Sequence, residues 1–216
     1  MFLLPELPYG YDSLSPTLSA QTLHLHHDKH HAGYVKALNT LLEDSPAPGA
    51  TLEQVIVDAA AAGHQKLFNN AAQCWNHSFF WLSMTAERVG PASPLRLAID
   101  ANFGDLDSLR ALFAAEAVGH FGSGWVWLTS DRRGVLKVVS THDAHAPVVE
   151  AGVTALVVCD IWEHAYYLDH HNDRRAWVDA WFDKLLNWTF ASRQFAAALA
   201  GEEGWRHPAA QTNLAA

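Results

Sequence analysis

An apolar, β-branched run, Val153-Thr154-Ala155-Leu156-Val157-Val158-Cys159, stops at an acid, Asp160. Such a run reads as a buried strand, which commits the chain to a sheet. A carboxylate placed where a strand ends, with an imidazole four residues on at His164, suits a metal site. If a helical turn follows, Asp160 and His164 share one face, and so do Glu163 and Tyr167. A strand end followed by an ordinary capped helix, with His164 satisfied by a neighbour, fits the octapeptide Asp160–Tyr167 equally well. The rest of the chain has to decide.

With 216 residues the chain can bury a large core, as one domain or as two small ones. Half of it is hydrophobic and 17% charged, a globular composition. Nine Trp imply several aromatic-lined regions, and fourteen His are far more than surface chemistry needs. The formal net charge of −9 argues against nucleic acid or an anionic membrane as partner, so an anionic substrate would need local positive charge. Residues 1–8 lack the basic and long apolar regions of a signal peptide, so a leader is not expected, and no apolar run approaches a membrane span. Cys74 and Cys159 both sit in apolar contexts and read as buried free thiols, so a cytoplasmic location is expected.

In chain order, residues 1–18 read as an extended arm, and Ser19 as the cap of a helix carrying His24, His26, His27, His30 and His31. Ser45-Pro46-Ala47-Pro48-Gly49 breaks that helix, and Thr51-Leu52-Glu53-Gln54 resembles a capping box. A second long helical pattern runs from about His64 to Arg88, closed by Gly90-Pro91. Helices are expected between Ser93 and Gly119, then strands over 125–129 and 135–140 around a turn, a third strand over 153–159, and helices over 177–186 and 189–199. The tail from Gly201 is expected to be loosely ordered. The fold class is therefore α+β: an N-terminal helical hairpin domain over 1–90, followed by an α/β domain over 91–216 with a small three-stranded antiparallel sheet.

On the first helix His26, His30 and Tyr34 recur at i, i+4, i+8, and on the second Gln73, His77 and Trp81 repeat that spacing. Histidines from two antiparallel helices could converge with Asp160 and His164. His24, His27 and His207 read instead as packing residues satisfied by neighbours, and His142 and His145, before Pro147, as solvated.

Five stretches in order resemble the iron/manganese superoxide dismutase family. They are Leu7-Pro8-Tyr9; His26-x-x-Lys29-His30-His31-x-x-Tyr34-Val35; Asn69 to Trp81, which contains Ala71-Ala72-Gln73 and Trp75-Asn76-His77; Phe121-Gly122-Ser123-Gly124-Trp125-Val126-Trp127-Leu128; and Asp160-Ile161-Trp162-Glu163-His164-Ala165-Tyr166-Tyr167. The resemblance implies His26, His77, Asp160 and His164 as ligands of one metal ion. It implies Tyr34 and His30 in the substrate channel, Gln73 as hydrogen-bond partner of solvent on the metal, and Trp81, Trp125 and Trp127 as a dry wall. Glu163 and Tyr167 match residues that bond across a homodimer interface to His164 and His30 of the second chain. The implied substrate is the superoxide anion. Three imidazoles and a carboxylate suit iron or manganese, where thiolates would favour softer metals.

The chain departs from the family pattern at Phe80, where iron-type members usually carry Tyr, and at His170-His171, where many carry an aromatic residue and Arg. Iron-type members tend to place the Gln on the second helix, as Gln73 does, and manganese-type members in the loop before the third strand. Ala144 aligns with that loop position, so iron is expected over manganese, unless a shifted loop brings in His142 or His145. Lys29 is the candidate for steering the anion, with Arg174 and Arg175 behind it. A zinc hydrolase has no obvious general base here. A non-catalytic metal-binding protein would show the loss of a ligand, of Tyr34 or of Gln73, and none is lost.

Overall fold

The computed structural model describes residues 1–44 and 50–210, so the expected Ser45–Gly49 break lies outside the described residues. The arm packs inward through Phe2, Leu14 and Leu18, and the Ser19 hydroxyl accepts the Thr22 N–H to start the first helix. That helix is irregular. α1 (Ala20–Leu25) passes into a π-turn, His26–His31, before α2 (Ala32–Asp44) resumes. A π-turn holds one extra residue, and here the Ala32 N–H reaches back to the His27 carbonyl. The widened turn buries both His26 and His31 and leaves His30 exposed, so the expected stripe of His26, His30 and Tyr34 is staggered.

In α3 (Leu52–Ala61) the Thr51 hydroxyl accepts the Gln54 N–H, but the capping box is only half made. The Gln54 amide donates to Asp58 at 2.7 Å, and Glu53 turns into the core. α4 (Gln65–Leu82) is buried from Ala71 to Trp81 and stops short of the expected Arg88. The Ser83 hydroxyl donates to Phe79 O and accepts the Val158 N–H, and Met84 then bridges to Leu186. Pairing with a distant segment ends the helix where local pattern would have extended it.

The second half follows with α5 (Ser93–Phe103), α6 (Leu106–Gly119), β1 (Gly124–Asp131), β2 (Leu136–His142) and β3 (Val153–Asp160). The three strands form one antiparallel sheet with β1 in the centre, and Trp125 sits opposite Asp160 in the register. A short helical turn, Glu163–Ala165, leads into α7 (Tyr167–His170), α8 (Arg174–Lys184) and α9 (Trp188–Ala200). The α+β class with its helical hairpin and three-stranded sheet is as expected. Phe79 and Phe80 of α4, both fully buried, meet Trp127 and Trp125 of β1 at 6.1 Å between ring centroids, which joins the two halves in one core. Burying a side chain of that kind stabilises by about 1.5–3 kcal/mol.

The tail departs from expectation. Over 201–210 it packs back on the hairpin, with Trp205 5.6 Å from Trp75 and 5.8 Å from Phe79 between ring centroids. The His207 N–H donates to Glu53 Oε1 at 2.7 Å, and the Trp205 N–H to Gln194 Oε1 at 2.9 Å. An inward carboxylate and an aromatic ledge give this segment something to bury, so His207 is 6% exposed and packs as expected although the tail around it is ordered. Among the described residues no helix is long and apolar enough to cross a membrane.

Candidate metal centre

Four elements each deliver one side chain to a point between the hairpin and the sheet. His26 comes from the π-turn, His77 from the middle of α4, Asp160 from the last position of β3, and His164 from the turn that follows. One donor atom from each lies within 4.8 Å of every other. His26, His77 and Asp160 are fully buried. His26 Nε2 is 3.1 Å and His164 Nε2 3.5 Å from Asp160 Oδ2, yet neither pair has the alignment of a hydrogen bond. His77 Nε2 likewise has no partner. Buried polar atoms without partners are rare and costly. Four of them on one spot fit a cation.

The outer atoms explain why the inner ones are free. His77 Nδ1–H donates to Gln73 O at 2.8 Å, which fixes the tautomer and leaves the lone pair on Nε2. Asp160 Oδ1 accepts the Trp162 N–H at 2.8 Å, and its backbone carbonyl accepts the Trp177 indole N–H at 2.8 Å, so only Oδ2 remains to bind. Burial, reinforced by nearby imidazoles, holds His26 and His77 well below the ordinary histidine range. Both stay neutral, with lone pairs available. This donor set of three neutral imidazoles and one carboxylate suits iron or manganese.

The neighbouring residues sort by distance. The Trp81 ring is 4.8 Å from His26, and Trp125 is 5.0 Å from His77. Trp127 stands a layer behind, with ring contacts to Trp75, Phe79 and Trp125 and its indole N–H on Thr141 Oγ1. It backs the wall and does not face a ligand ring. Tyr34 lies 5.3 Å from His77, and burial, then the Asp160 carboxylate, pushes its hydroxyl up to about 12. His30 stacks on His164 at 4.2 Å while remaining exposed, and burial lowers its pKa. Gln73 is 2% exposed and its Oε1 has no partner. The Phe80 ring lies 5.6 Å from His26.

Glu163 and Tyr167 are exposed on the surface next to His164. The loop before β3 is not shifted inward: His142 and His145 are exposed, and buried Ala144 offers only its carbonyl, which accepts the Asn76 amide at 3.2 Å. Two of the steering candidates are engaged elsewhere. Arg174 donates to the carbonyls of Ala117, His120 and Gly122, and Arg175 pairs with Asp179. Lys29 is exposed in the π-turn. His170 Nε2 is 2.9 Å from Thr17 O, which ties α7 to the arm.

Three contributors were not singled out by sequence. His31 stacks on His77 at 5.3 Å and accepts the Trp81 indole N–H at 3.1 Å. Trp162 lies 5.5 Å from His164, and Trp177 holds the Asp160 backbone. The doubled histidines of the first helix hinted at His31. Nothing local marks Trp177, which α8 brings in from another part of the chain.

Comparison with known proteins agrees with this geometry. The family model described as the alpha-hairpin domain of iron/manganese superoxide dismutases matches residues 1–85, and that of their C-terminal domain matches residues 91–194. Among curated relatives, a protein named Superoxide dismutase [Fe] from Babesia bovis is 44% identical over 197 residues, covering 91% of this chain and 96% of its own. Proteins of the same name from Entamoeba histolytica and Coxiella burnetii are 44% and 45% identical, covering 89% and 90% of this chain and 98% of each of theirs. Given two matching family models and relatives at this identity over nearly the whole length, the chain belongs to the iron/manganese superoxide dismutase family.

Proposed function

We propose that this chain disproportionates superoxide to dioxygen and hydrogen peroxide at a single iron ion held by His26, His77, Asp160 and His164. The observation that carries the reading is the convergence of three imidazole nitrogens and one carboxylate oxygen, all without partners, in a water-poor interior. Iron bound there supplies one-electron cycling between the +3 and +2 states, taking an electron from one superoxide and returning it to a second.

The chain's own residues do the rest. The Gln73 carbonyl and the Trp162 N–H fix the orientation of His77 and Asp160. Trp81 and Trp125 exclude water from His26 and His77, and Trp127 supports Trp125. Peroxide formation consumes two protons. Tyr34, kept protonated by burial, offers its hydroxyl as a donor, and exposed His30 on His164 links the interior to bulk water. Gln73 Oε1, buried and without a partner, is placed to hold solvent at the centre. Gln73 on α4, with no amide at Ala144, favours iron over manganese.

The exposed positions of Glu163 and Tyr167 support a symmetric homodimer in which they meet His164 and His30 of a second copy. The family-model spans support two structural units near the 1–90 and 91–216 division. Two buried free thiols are consistent with a reducing, cytoplasmic location.

Superoxide consumption measured alongside metal content tests the activity and the ligand set together. The wild-type protein should consume superoxide and carry iron. His77→Ala and Asp160→Ala should lose nearly all metal and nearly all activity together, because an incomplete donor set no longer offsets dehydration of the ion. Wild-type metal occupancy in either variant would overturn the ligand assignment, and a fully metallated wild type without turnover would overturn the activity.

A further inference from the structure

A second pair of imidazoles meets where α6 gives way to β1. His120 Nε2 lies 3.4 Å from His142 Nδ1, with ring centroids 5.6 Å apart and planes tilted by 35°. For a nitrogen–nitrogen hydrogen bond this is long, beyond the usual limit of about 3.2 Å. It matches another geometry. Two nitrogens held by one tetrahedral zinc at about 2.0–2.1 Å stand about 3.3–3.4 Å apart.

The protonation pattern around the pair is set from outside it. Asp143 Oδ2 lies 3.4 Å from His142 Nε2, which favours the proton on Nε2 and turns the Nδ1 lone pair toward His120. A carboxylate behind the outer nitrogen is the usual support of a metal-binding histidine. His120 Nε2 is also 3.2 Å from Ser123 O, a carbonyl that retains a proton on that nitrogen when no Lewis acid competes. On binding, His120 moves this proton to its own Nδ1, so the neutral pair releases none.

The backbone segments that carry both rings are held in place before any ligand arrives. Arg174 donates to the carbonyls of His120 and Gly122 at 2.6 and 2.7 Å, which fixes the loop that carries His120. The Asp143 N–H donates to Ser123 O at 3.0 Å, and the Asp143 carbonyl accepts the indole N–H groups of Trp125 and Trp162. Gly124 is required by the strand pairing, since a Cβ there would collide with the Thr141 carbonyl oxygen, and its absence also leaves room for His120 Nε2, 2.5 Å from that point. A cation therefore meets two imidazoles on backbone that is already fixed. His142 faces solvent, with 64% of its side chain exposed, so the site is open to entry.

We propose that His120 and His142 form a second metal site, separate from the centre of His26, His77, Asp160 and His164, that chelates a borderline divalent transition cation of the zinc class. Imidazole donors select such ions over magnesium or calcium, and Asp143 supports His142 from behind.

Calorimetric titration of the iron-loaded protein with Zn2+, with iron content assayed before and after, tests this. The wild-type protein should bind one equivalent of zinc, with its iron retained, that His142→Ala and His120→Asn/His142→Ala do not bind. Asp143→Asn, which keeps a residue tolerant of the left-handed φ of 51° found there, should weaken zinc binding by about 10- to 100-fold. His142→Ala removes only an exposed ring, so its result stands even if the His120 variant folds poorly. Zinc uptake equal in the wild type and in His142→Ala, zinc uptake matched by loss of iron, or no uptake by the wild type would each overturn the proposal.

Discussion

Asp160 shows how one side chain is prepared for a single task. The Trp162 N–H occupies Oδ1 and the Trp177 indole occupies the backbone carbonyl, which leaves Oδ2 among three imidazole nitrogens. The position of Asp160 at a strand end was legible in the sequence, because the apolar run before it stops there. The two bonds that orient it were not, since Trp177 arrives from α8 and carries no local signal. At the same scale, the approach of an anion to a chain of formal charge −9 depends on local cations. Arg175 is paired with Asp179 and Arg174, still charged, is held half-buried against carbonyls, which makes exposed Lys29 the freest of the three candidates to meet an anion. Lys29→Gln should lower kcat/KM several-fold at low salt and flatten its decline with ionic strength. Stopped-flow superoxide decay across a salt series measures both, and an unchanged salt dependence would remove Lys29 from this role.

Elements differ from their sequence pattern where partners far along the chain intervene. The histidine spacing of the first helix implied a regular stripe, but the π-turn at His26–His31 buries three imidazoles, those of His26, His27 and His31, and exposes His30. The 201–210 segment looked unstructured because its partners, Glu53 and Trp75, lie in α3 and α4. Glu53 Oε1 accepts both the Trp75 indole N–H and the His207 N–H. Glu53→Leu would leave both donors unpaired and should cost about 2–3 kcal/mol in urea unfolding. A change below about 0.5 kcal/mol, as at ordinary surface sites, would mean the tail contributes nothing to stability. The same docking makes a pH prediction. Burial lowers the His207 pKa in the folded state, so the unfolded chain binds this proton more readily. The stability contribution is complete above the unfolded value near 6.5 and is lost as pH falls through it toward the depressed folded value, by at most about 1.4 kcal/mol per pH unit. His207→Gln should show a shallower acid-side loss than the wild type, and identical slopes would contradict it.

For the whole molecule, the helical half holds two of the proposed metal ligands and the last strand with the turn after it holds the other two, so the site exists only when both halves are folded together. The four residues were legible through the family resemblance, which singled out His26, His77, Asp160 and His164; the helical spacings and the strand-end acid alone also offered His30 and Tyr34. The depth of Trp127 and the commitment of Arg174 were not, because both depend on how layers stack. The proposed dimer adds a coupling: Glu163 of one copy would orient His164 of the other. Glu163→Ala should therefore raise the dimer dissociation constant and the rate of metal loss together, read by analytical ultracentrifugation and metal release to a chelator. A dimeric variant that holds its metal normally would refute the link. The central claim, an iron centre tuned by Gln73 from α4, is tested most directly by loading apoprotein separately with iron and with manganese and comparing superoxide turnover per bound metal. High activity with iron and little with manganese is expected; full activity with manganese and little with iron would rule out iron as the working metal.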